Sequence, residues 1–308
     1  MEQTLENTDH KFKSGFVNII GKPNAGKSTL MNALVGERMS IITPKPQTTR
    51  HRIMGILTGE NFQAVFSDTP GFVKNPNYAM HRAMNSMVVG TLEDADLLLF
   101  VVDLTEEMDP DDPMLTILKR AESPVILVLN KTDKVAAQRP TDVGNWWTRR
   151  VENITQTCTI SALKGEGTDS LRQVILQYLP EGPAYFPPDQ LTDRIERFFV
   201  SEIIREKIFL LFTDEVPYSC EVSIEEFKES TTKTGEPLAR IRANIFVLRE
   251  TQKAILLGHQ GTAIKKLGTL ARMEIERFLE SKVFLELTVK VRDNWRDDER
   301  SLQQFGYV

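Results

Sequence analysis

The stretch "GKPNAGKST", Gly21–Thr29, constrains this chain more than any other. From Gly21 to Ser28 it fits G-x-x-x-x-G-K-[ST]. The apolar segment "FVNIIG" runs into it, and "KSTLMNALVGE", with helical spacing, runs out of it. A strand, a glycine-rich turn and a helix in that order make a phosphate cradle. Gly21 and Gly26 let successive backbone N–H groups turn inward onto phosphate oxygens, and the helix start adds its positive dipole end. Asn24, Ala25 and Thr29 belong to the same cradle. Lys27 is placed to reach the outer phosphates, and the Ser28 hydroxyl to ligate Mg²⁺. The pattern alone does not choose between ATP and GTP.

The rest of the first half fits the context this motif needs. "RIMGILTG" and "FQAVFSD" read as a strand pair. "LLLFVVDL" and "PVILVLN" are short, continuous and apolar, as strands covered on both faces are. Helical segments such as "DPMLTILKRAE" and "DSLRQVILQYLP" separate them. The alternation predicts an α/β sheet with helices on both sides, a P-loop nucleotide-binding fold. With 308 residues the chain has room for two domains. "PEGPAYFPPDQ", Pro180–Gln190, carries four prolines and can continue neither a helix nor a central strand. We therefore expect a nucleotide domain over 1–180, a linker over 181–190 and a second domain over 191–308. In the second domain a long helix precedes two strands, a helix–Gly-x-x-Gly–helix unit and a last strand. That order predicts a smaller α+β domain.

"NKTD", Asn130–Asp133, directly follows a strand and selects the base. The Asp133 carboxylate can accept from both N1–H and the exocyclic amine of guanine. Adenine offers no such pair, and a site built around a polar partner rejects the analogue lacking it. Asn130 is expected to bridge to the phosphate loop and the Lys131 stem to lie on the base. "SALKG" supplies Ser161, Ala162 and Leu163, with the Ala162 N–H expected to donate to guanine O6. "DTPG" ends a strand with Asp68, which would hold Mg²⁺ through water, and Gly71, whose N–H would bond the γ-phosphate. In "PQTTR" one threonine should complete the metal shell, Thr49 or, as runner-up, Thr48. Both loops would lose phosphate contacts on hydrolysis and so act as switches. Lys27, Thr49 and Gly71 would touch the reacting phosphate and are the catalytic candidates.

These motifs resemble the translation-factor-like branch of P-loop GTPases. In signalling GTPases of the Ras kind a glutamine that orients water follows this glycine; here Phe72 stands there. Catalysis must then rest on charge stabilisation, with water held by backbone or another group. Asn24 either holds a K⁺ ion, as an asparagine does in some relatives, or braces the loop.

"LLGHQGTAIKKLG" carries Gly258, His259, Gln260 and Gly261 between helices, which resembles the KH fold, whose loop clamps single-stranded nucleic-acid backbone. Ile264 and strand residues such as Ile245 are expected to line the base groove, with Lys265 and Lys266 near the phosphates. Net charge is −5, so a polyanion needs a local basic patch. Between Lys233 and Lys266 seven basic residues face only Glu236 and Glu250. A nucleic-acid contact there should be salt-sensitive.

A GTPase with "GKPNAGKS", "PQTTR", "DTPGF" and "NKTD", followed by a KH domain (type II) and "VKVRDNWRDDERSLQQFGY", resembles the Era family from about Phe16 to Tyr307. The resemblance implies a Mg²⁺-dependent GTPase whose nucleotide state tunes binding to the 3′ end of 16S ribosomal RNA during small (30S) subunit assembly. It further implies a cytoplasmic monomer with scope for peripheral contact at the inner face of the cell membrane. No anchor or lipidation signal accompanies that scope. The polar start "MEQTLENTDHKFK" suggests no secretion. Cys158 and Cys220 are too few for a disulfide framework or zinc cluster. Two other classes fit the sequence less well. A constitutive RNA-binding protein would not need the full set of phosphate, metal and guanine residues, and a phosphotransferase would not need "NKTD". Trp295 and Phe305 are expected to pack the tail helix on the KH sheet, with an RNA surface as the alternative. Trp146 and Trp147 are expected to pack within the first domain.

Overall fold

The computed structural model describes residues 11–232 and 234–307. Lys233, counted above in the basic patch, and the first ten residues of the polar start lie outside the described residues. The chain divides into two compact units. The first comprises the chain up to Met39, Arg52–Thr69 and Val88–Asp193. The second comprises Ser40–His51, Pro70–Met87 and the chain from Arg194 onward.

The first unit runs β1 (Lys13–Gly21), α1 (Lys27–Val35), β2 (Ile53–Thr58) and β3 (Phe62–Asp68). Then come α2 (Ala79–Gly90), which starts in the second unit's segment, β4 (Leu97–Asp103), α3 (Pro113–Lys119), β5 (Val125–Asn130), α4 (Arg139–Thr148), β6 (Ile154–Thr159) and α5 (Thr168–Tyr178). The six strands lie in the order β2-β3-β1-β4-β5-β6, all parallel except the β2/β3 pair. Every residue of β5 is buried, so successive side chains are covered on opposite faces, as its uninterrupted apolar run implied. Helix ends follow local chemistry. Asp112 caps α3 by accepting from the Met114 N–H at 3.0 Å with Pro113 in the first turn, and α1 stops at Gly36, which adopts φ 87°.

The proline-rich stretch is not a free linker. Gln63 is fully buried on β3, accepts from the N–H groups of Tyr185 and Phe186 at 2.7 and 2.9 Å, and donates to the Phe186 carbonyl at 2.9 Å. Farther on, the Ile56 N–H donates to Leu191 O and Thr192 Oγ1 to Met54 O. The stretch is thus fastened on β3, and the residues just after it, Leu191 and Thr192, cover the edge strand β2 and pair its polar groups. The first unit accordingly runs to Asp193.

The second unit contains α6 (Glu196–Leu211), α7 (Val216–Ser219), β7 (Glu221–Thr231), β8 (Pro237–Val247), α8 (Glu250–Leu257), α9 (Thr262–Leu279), β9 (Lys282–Val291) and α10 (Glu299–Gln304). Its sheet has the order β7-β8-β9, antiparallel then parallel. Ile241, Ala243, Ile245 and Val247 of β8 point inward against Ile204 and Ile208 of α6 and Ala271 and Ile275 of α9. Full burial of each large aliphatic contributes about 1.5–3 kcal/mol. A second cluster joins Met80 and Met84 to Trp295, Leu302 and Tyr307. Trp295 is completely buried, donates to Ser219 O at 3.0 Å and meets Phe305 edge-on, so these aromatics pack the tail. In the first unit Trp147 is buried against Phe100, while Trp146 is stacked by Arg150.

The sequence assigned 40–51 and 70–87 to the first domain; by packing both belong to the second unit. Arg50, the last residue of "PQTTR", explains much of this. Its buried guanidinium donates to Cys220 O at 2.7 Å, Tyr218 O at 3.1 Å, Pro217 O at 3.2 Å and Glu221 at 3.2 Å. Lys45 donates to Phe209 O and Phe212 O, and Gln47 bonds His81 at 3.0 Å.

Candidate functional site

The turn after β1 is shaped by steric necessity. A Cβ on Gly21 would stand 2.4 Å from Val101 O, and one on Gly26 2.2 Å from Asn130 Nδ2. Asn24 (φ 64°) and Gly26 (φ 98°) take left-handed backbone within one tight loop, the alternation that turns N–H groups into an anion-binding concavity. Asn24 is exposed and Ala25 buried at the loop's base. Lys27 is buried, with Nζ donating to Gly21 O and Lys22 O at 3.1 and 2.8 Å. Burial pulls its pKa down to about 8, against the opposing pull of Asp68 and Glu106. An ammonium held on carbonyls in a low-dielectric site gains strongly from a phosphate neighbour. Thr29, half-buried, continues α1.

Ser28 Oγ donates to Asp68 Oδ2 at 2.6 Å, and Asp68 is fully buried at the end of β3. A hydroxyl and a carboxylate brought together beside the phosphate turn are hard oxygen donors of the kind Mg²⁺ selects. Thr48, Thr49 and Gly71 stand on the two segments that pack in the second unit. Thr48 is engaged inside its own loop, 2.6 Å from Thr43 Oγ1 and donating to Lys45 O at 2.8 Å. Thr49 and Gly71 are buried, and Phe72 is half-buried.

At the opposite side of the phosphate turn, Asn130 ties two loops together. Its Nδ2 donates to Ala25 O at 2.8 Å, and its Oδ1 accepts from the Ala162 N–H at 3.0 Å. The first bond is the bridge the sequence anticipated. The second corrects an expectation: the Ala162 N–H, assigned above to guanine O6, is directed to Asn130. Leu163, next on the loop, is three-quarters exposed at 75%. Lys131 takes φ 69° and pairs with Asp103 at the end of β4. Asp103 escaped the sequence reading, although Asp103 and Asn130 are register partners on adjacent strand ends. Asp133 accepts from Ser161 Oγ at 2.7 Å, and that bond holds its carboxyl below the usual range. The Asp133 carboxylate is thus fixed in direction and kept ionised.

In the second unit Gly258 has φ 70°, and a Cβ there would stand 2.7 Å from that of Ala263. Gly261 has φ 77°, and a Cβ there would stand 3.9 Å from Ile264 Cγ2, an ordinary contact; Gln260 takes φ 50°, and the Thr262 hydroxyl closes the loop onto His259 O at 2.9 Å. His259, Gln260, Lys265 and Lys266 are exposed, and Ile264 is half-buried. Ile245 cannot line a groove: it is fully buried in the core, because β8 alternates and its odd-numbered residues face the helices.

The sequence profile of the 50S ribosome-binding GTPase family matches residues 16–131, and that of the KH domain matches 215–296. The chain is 45% identical over 297 residues to the GTPase Era of Syntrophus aciditrophicus, covering 96% of this chain and 95% of that protein. The chain belongs to the Era family of GTPases. A chloroplastic relative, GTPase ERA1 of Zea mays, is 42% identical over 96% of this chain and 70% of its own. Among solved structures, Era in complex with MgGDPNP and nucleotides 1506–1542 of 16S ribosomal RNA superposes with a TM-score of 0.91 at 39% identity, covering 96% of this chain and 99% of that one. An Aquifex aeolicus Era variant bound to GDP·AlF4⁻ gives 0.90 at 39% identity, covering 96% and 100%. This Era-family chain is therefore a GTPase joined to a KH domain. Among the described residues no helix is long and apolar enough to cross a membrane.

Proposed function

We propose that this chain is a GTP-driven switch that binds the 3′ region of 16S ribosomal RNA through its KH domain and assists assembly of the small ribosomal subunit. The observation that carries this reading is the pair of hydrogen bonds made by the Asn130 amide. It joins the phosphate turn to the loop beside Asp133, so phosphate and guanine recognition form one unit. The RNA assignment is supported by the relative solved with that RNA fragment and by the glycine-built loop Gly258–Gly261.

Each residue has a role in this reading. Gly21, Asn24, Ala25, Gly26 and Thr29 form the phosphate turn. Lys27 holds the outer phosphates. Ser28 and Asp68 hold Mg²⁺, Asp68 through water, and Thr49 is the third oxygen. The metal, when bound, neutralises charge on the phosphate oxygens. Gly71 presents its N–H to the γ-phosphate. Asp133 reads guanine, Ser161 orients Asp133, Lys131 flanks the base, and the Leu163 N–H replaces that of Ala162 as the O6 donor. In the KH loop Gly258 and Gly261 admit the sugar-phosphate chain, His259 and Gln260 bond it, and Ile264, Lys265 and Lys266 flank it. With Phe72 where Ras-like enzymes carry glutamine, water must be held by backbone or by another group. Asn24 is the candidate K⁺ ligand, and turnover equal in KCl and NaCl would remove that role. We place the protein in the cytoplasm as a monomer; peripheral membrane contact follows the family resemblance alone.

The test is RNA affinity measured with a GTP analogue, with GDP and without nucleotide, beside crosslinking to ribosomal RNA in cells. Nucleotide-dependent affinity that Gly261→Asp abolishes, with GTP hydrolysis intact, is expected. Identical affinity in all three states would make the chain a constitutive RNA binder.

A further inference from the structure

The outer face of the second unit's sheet, opposite the helices, is unevenly covered. At one end Phe246 of β8 meets Phe305 at 5.3 Å, and Arg292 lies over both rings. There Glu221, the register partner of Phe246, is buried under Arg50 and Tyr307. The other end is open. Lys228, Arg240 and Phe284 stand side by side across β7, β8 and β9 in one register row. All three are exposed, and Phe284 shows 57% of its surface. Lys282 is exposed two residues before Phe284. The adjacent row is Glu226, Arg242 and Glu286, with Arg242 and Lys228 both paired to Glu226, at 2.7 and 2.6 Å. Four cations therefore face two carboxylates around one bare phenyl ring.

A phenyl ring left this exposed on a sheet is costly unless something covers it. The surrounding excess of cations selects an anionic partner with flat apolar parts, which describes single-stranded nucleic acid: phosphates for the cations, bases for the ring. The path is short in topological terms. β9 is an edge strand, and the start of α9, just past the Gly-x-x-Gly loop, packs on it: a Cβ on Gly268 would stand 3.6 Å from Leu287. A strand leaving the loop can round that edge to the outer face.

We propose that Phe284, with Lys228, Arg240 and Lys282, forms a second contact for single-stranded RNA, continuing the strand held by the Gly-x-x-Gly loop. This rests on the RNA-binding reading above. The test uses the full chain and an oligonucleotide series of increasing length. Phe284→Ala should leave the shortest binding oligonucleotide unaffected and weaken the longer ones roughly 5- to 100-fold. Phe284→Tyr should restore binding, and Phe284→Leu should not. Lys228→Gln with Arg240→Gln should make the salt dependence shallower by about 1.4 in log–log slope, at about 0.7 per phosphate on a single strand. Phe284→Ala with wild-type affinity at every length, or Phe284→Leu as good as wild type, overturns the proposal and leaves the face to a protein partner. If wild type itself binds no oligonucleotide and Gly261→Asp changes nothing, the RNA-binding reading fails instead.

Discussion

Replacing Asn130 by alanine removes a side chain bonded to both the phosphate turn and the guanine loop. Two buried backbone groups, Ala25 C=O and Ala162 N–H, lose their side-chain partner. Leaving a buried donor or acceptor unmade costs about 1–3 kcal/mol, so the pair sums to about 2–6 kcal/mol. Water entering the small space left by the amide favours the low end. In the free protein the loops relax apart, and a nucleotide must reassemble them. At 1.4 kcal/mol per tenfold, affinity should fall at least about 30-fold. Asn130 bonds nothing that senses the γ-phosphate, so GDP and a GTP analogue should lose affinity equally. Stopped-flow titration with fluorescent derivatives of both, on Asn130→Ala and on the isosteric Asn130→Asp, gives the answer. Affinity within about threefold of wild type, or a loss confined to the triphosphate, would refute the bridging argument.

Other outcomes follow from the same geometry. Lys27, at a pKa of about 8 in the free site, loses its charge as pH rises, while bound phosphates raise its pKa; GTP affinity should therefore fall about fivefold between pH 8 and pH 9, and Lys27→Ala should abolish that slope. Asp133→Asn should shift preference from guanine to xanthine nucleotides in competition binding; unchanged GTP selectivity counts against Asp133 as the base reader. Arg50→Ala leaves Glu221 and three carbonyls without their guanidinium and should cost about 3–5 kcal/mol in urea unfolding. Burial pushes the Glu221 carboxyl up, but Arg50, Arg205 and His51 more than offset this and hold it below the usual range. Its folded pKa is thus depressed. The stabilisation is present above the ordinary carboxylate pKa of about 4.3 and is lost as pH falls through the folded value. An unfolding series from pH 7 to 3 should show that loss, and Arg50→Ala should move it to higher pH.

What the sequence revealed was what compact motifs carry. The phosphate turn and the alternation of strands and helices around it are short-range patterns whose residue types leave few alternatives, and the Asn130 bridge, although it spans 105 residues to Ala25, was legible because "NKTD" carries it. The Ala162 N–H was misassigned because its direction depends on a side chain 32 residues away. Ile245 was misplaced for a different reason: alternation in "ARIRANIF" groups Ile241, Ala243 and Ile245 on one face without saying which face meets the helices. The prolines of 180–190 ruled out helix and central strand, but the buried Gln63 and Ser14 show where that stretch is fastened. Arg50 offered no signal, since a charged residue ending a polar loop is ordinarily solvated.

The segments Ser40–His51 and Pro70–Met87, embedded in the first unit's sequence yet packed in the second, make these two units inseparable by any single cut. A fragment starting at Arg194 would carry every strand of the KH sheet but not Arg50, Met80 or Met84. Glu221 would then lose Arg50 and His51 and keep only Arg205 and the Tyr307 hydroxyl among these partners, and Trp295 would face water on the side those methionines cover. Gene fusions or swaps that treat the RNA-binding part as a portable cassette should therefore yield an insoluble product unless both upstream segments travel with it.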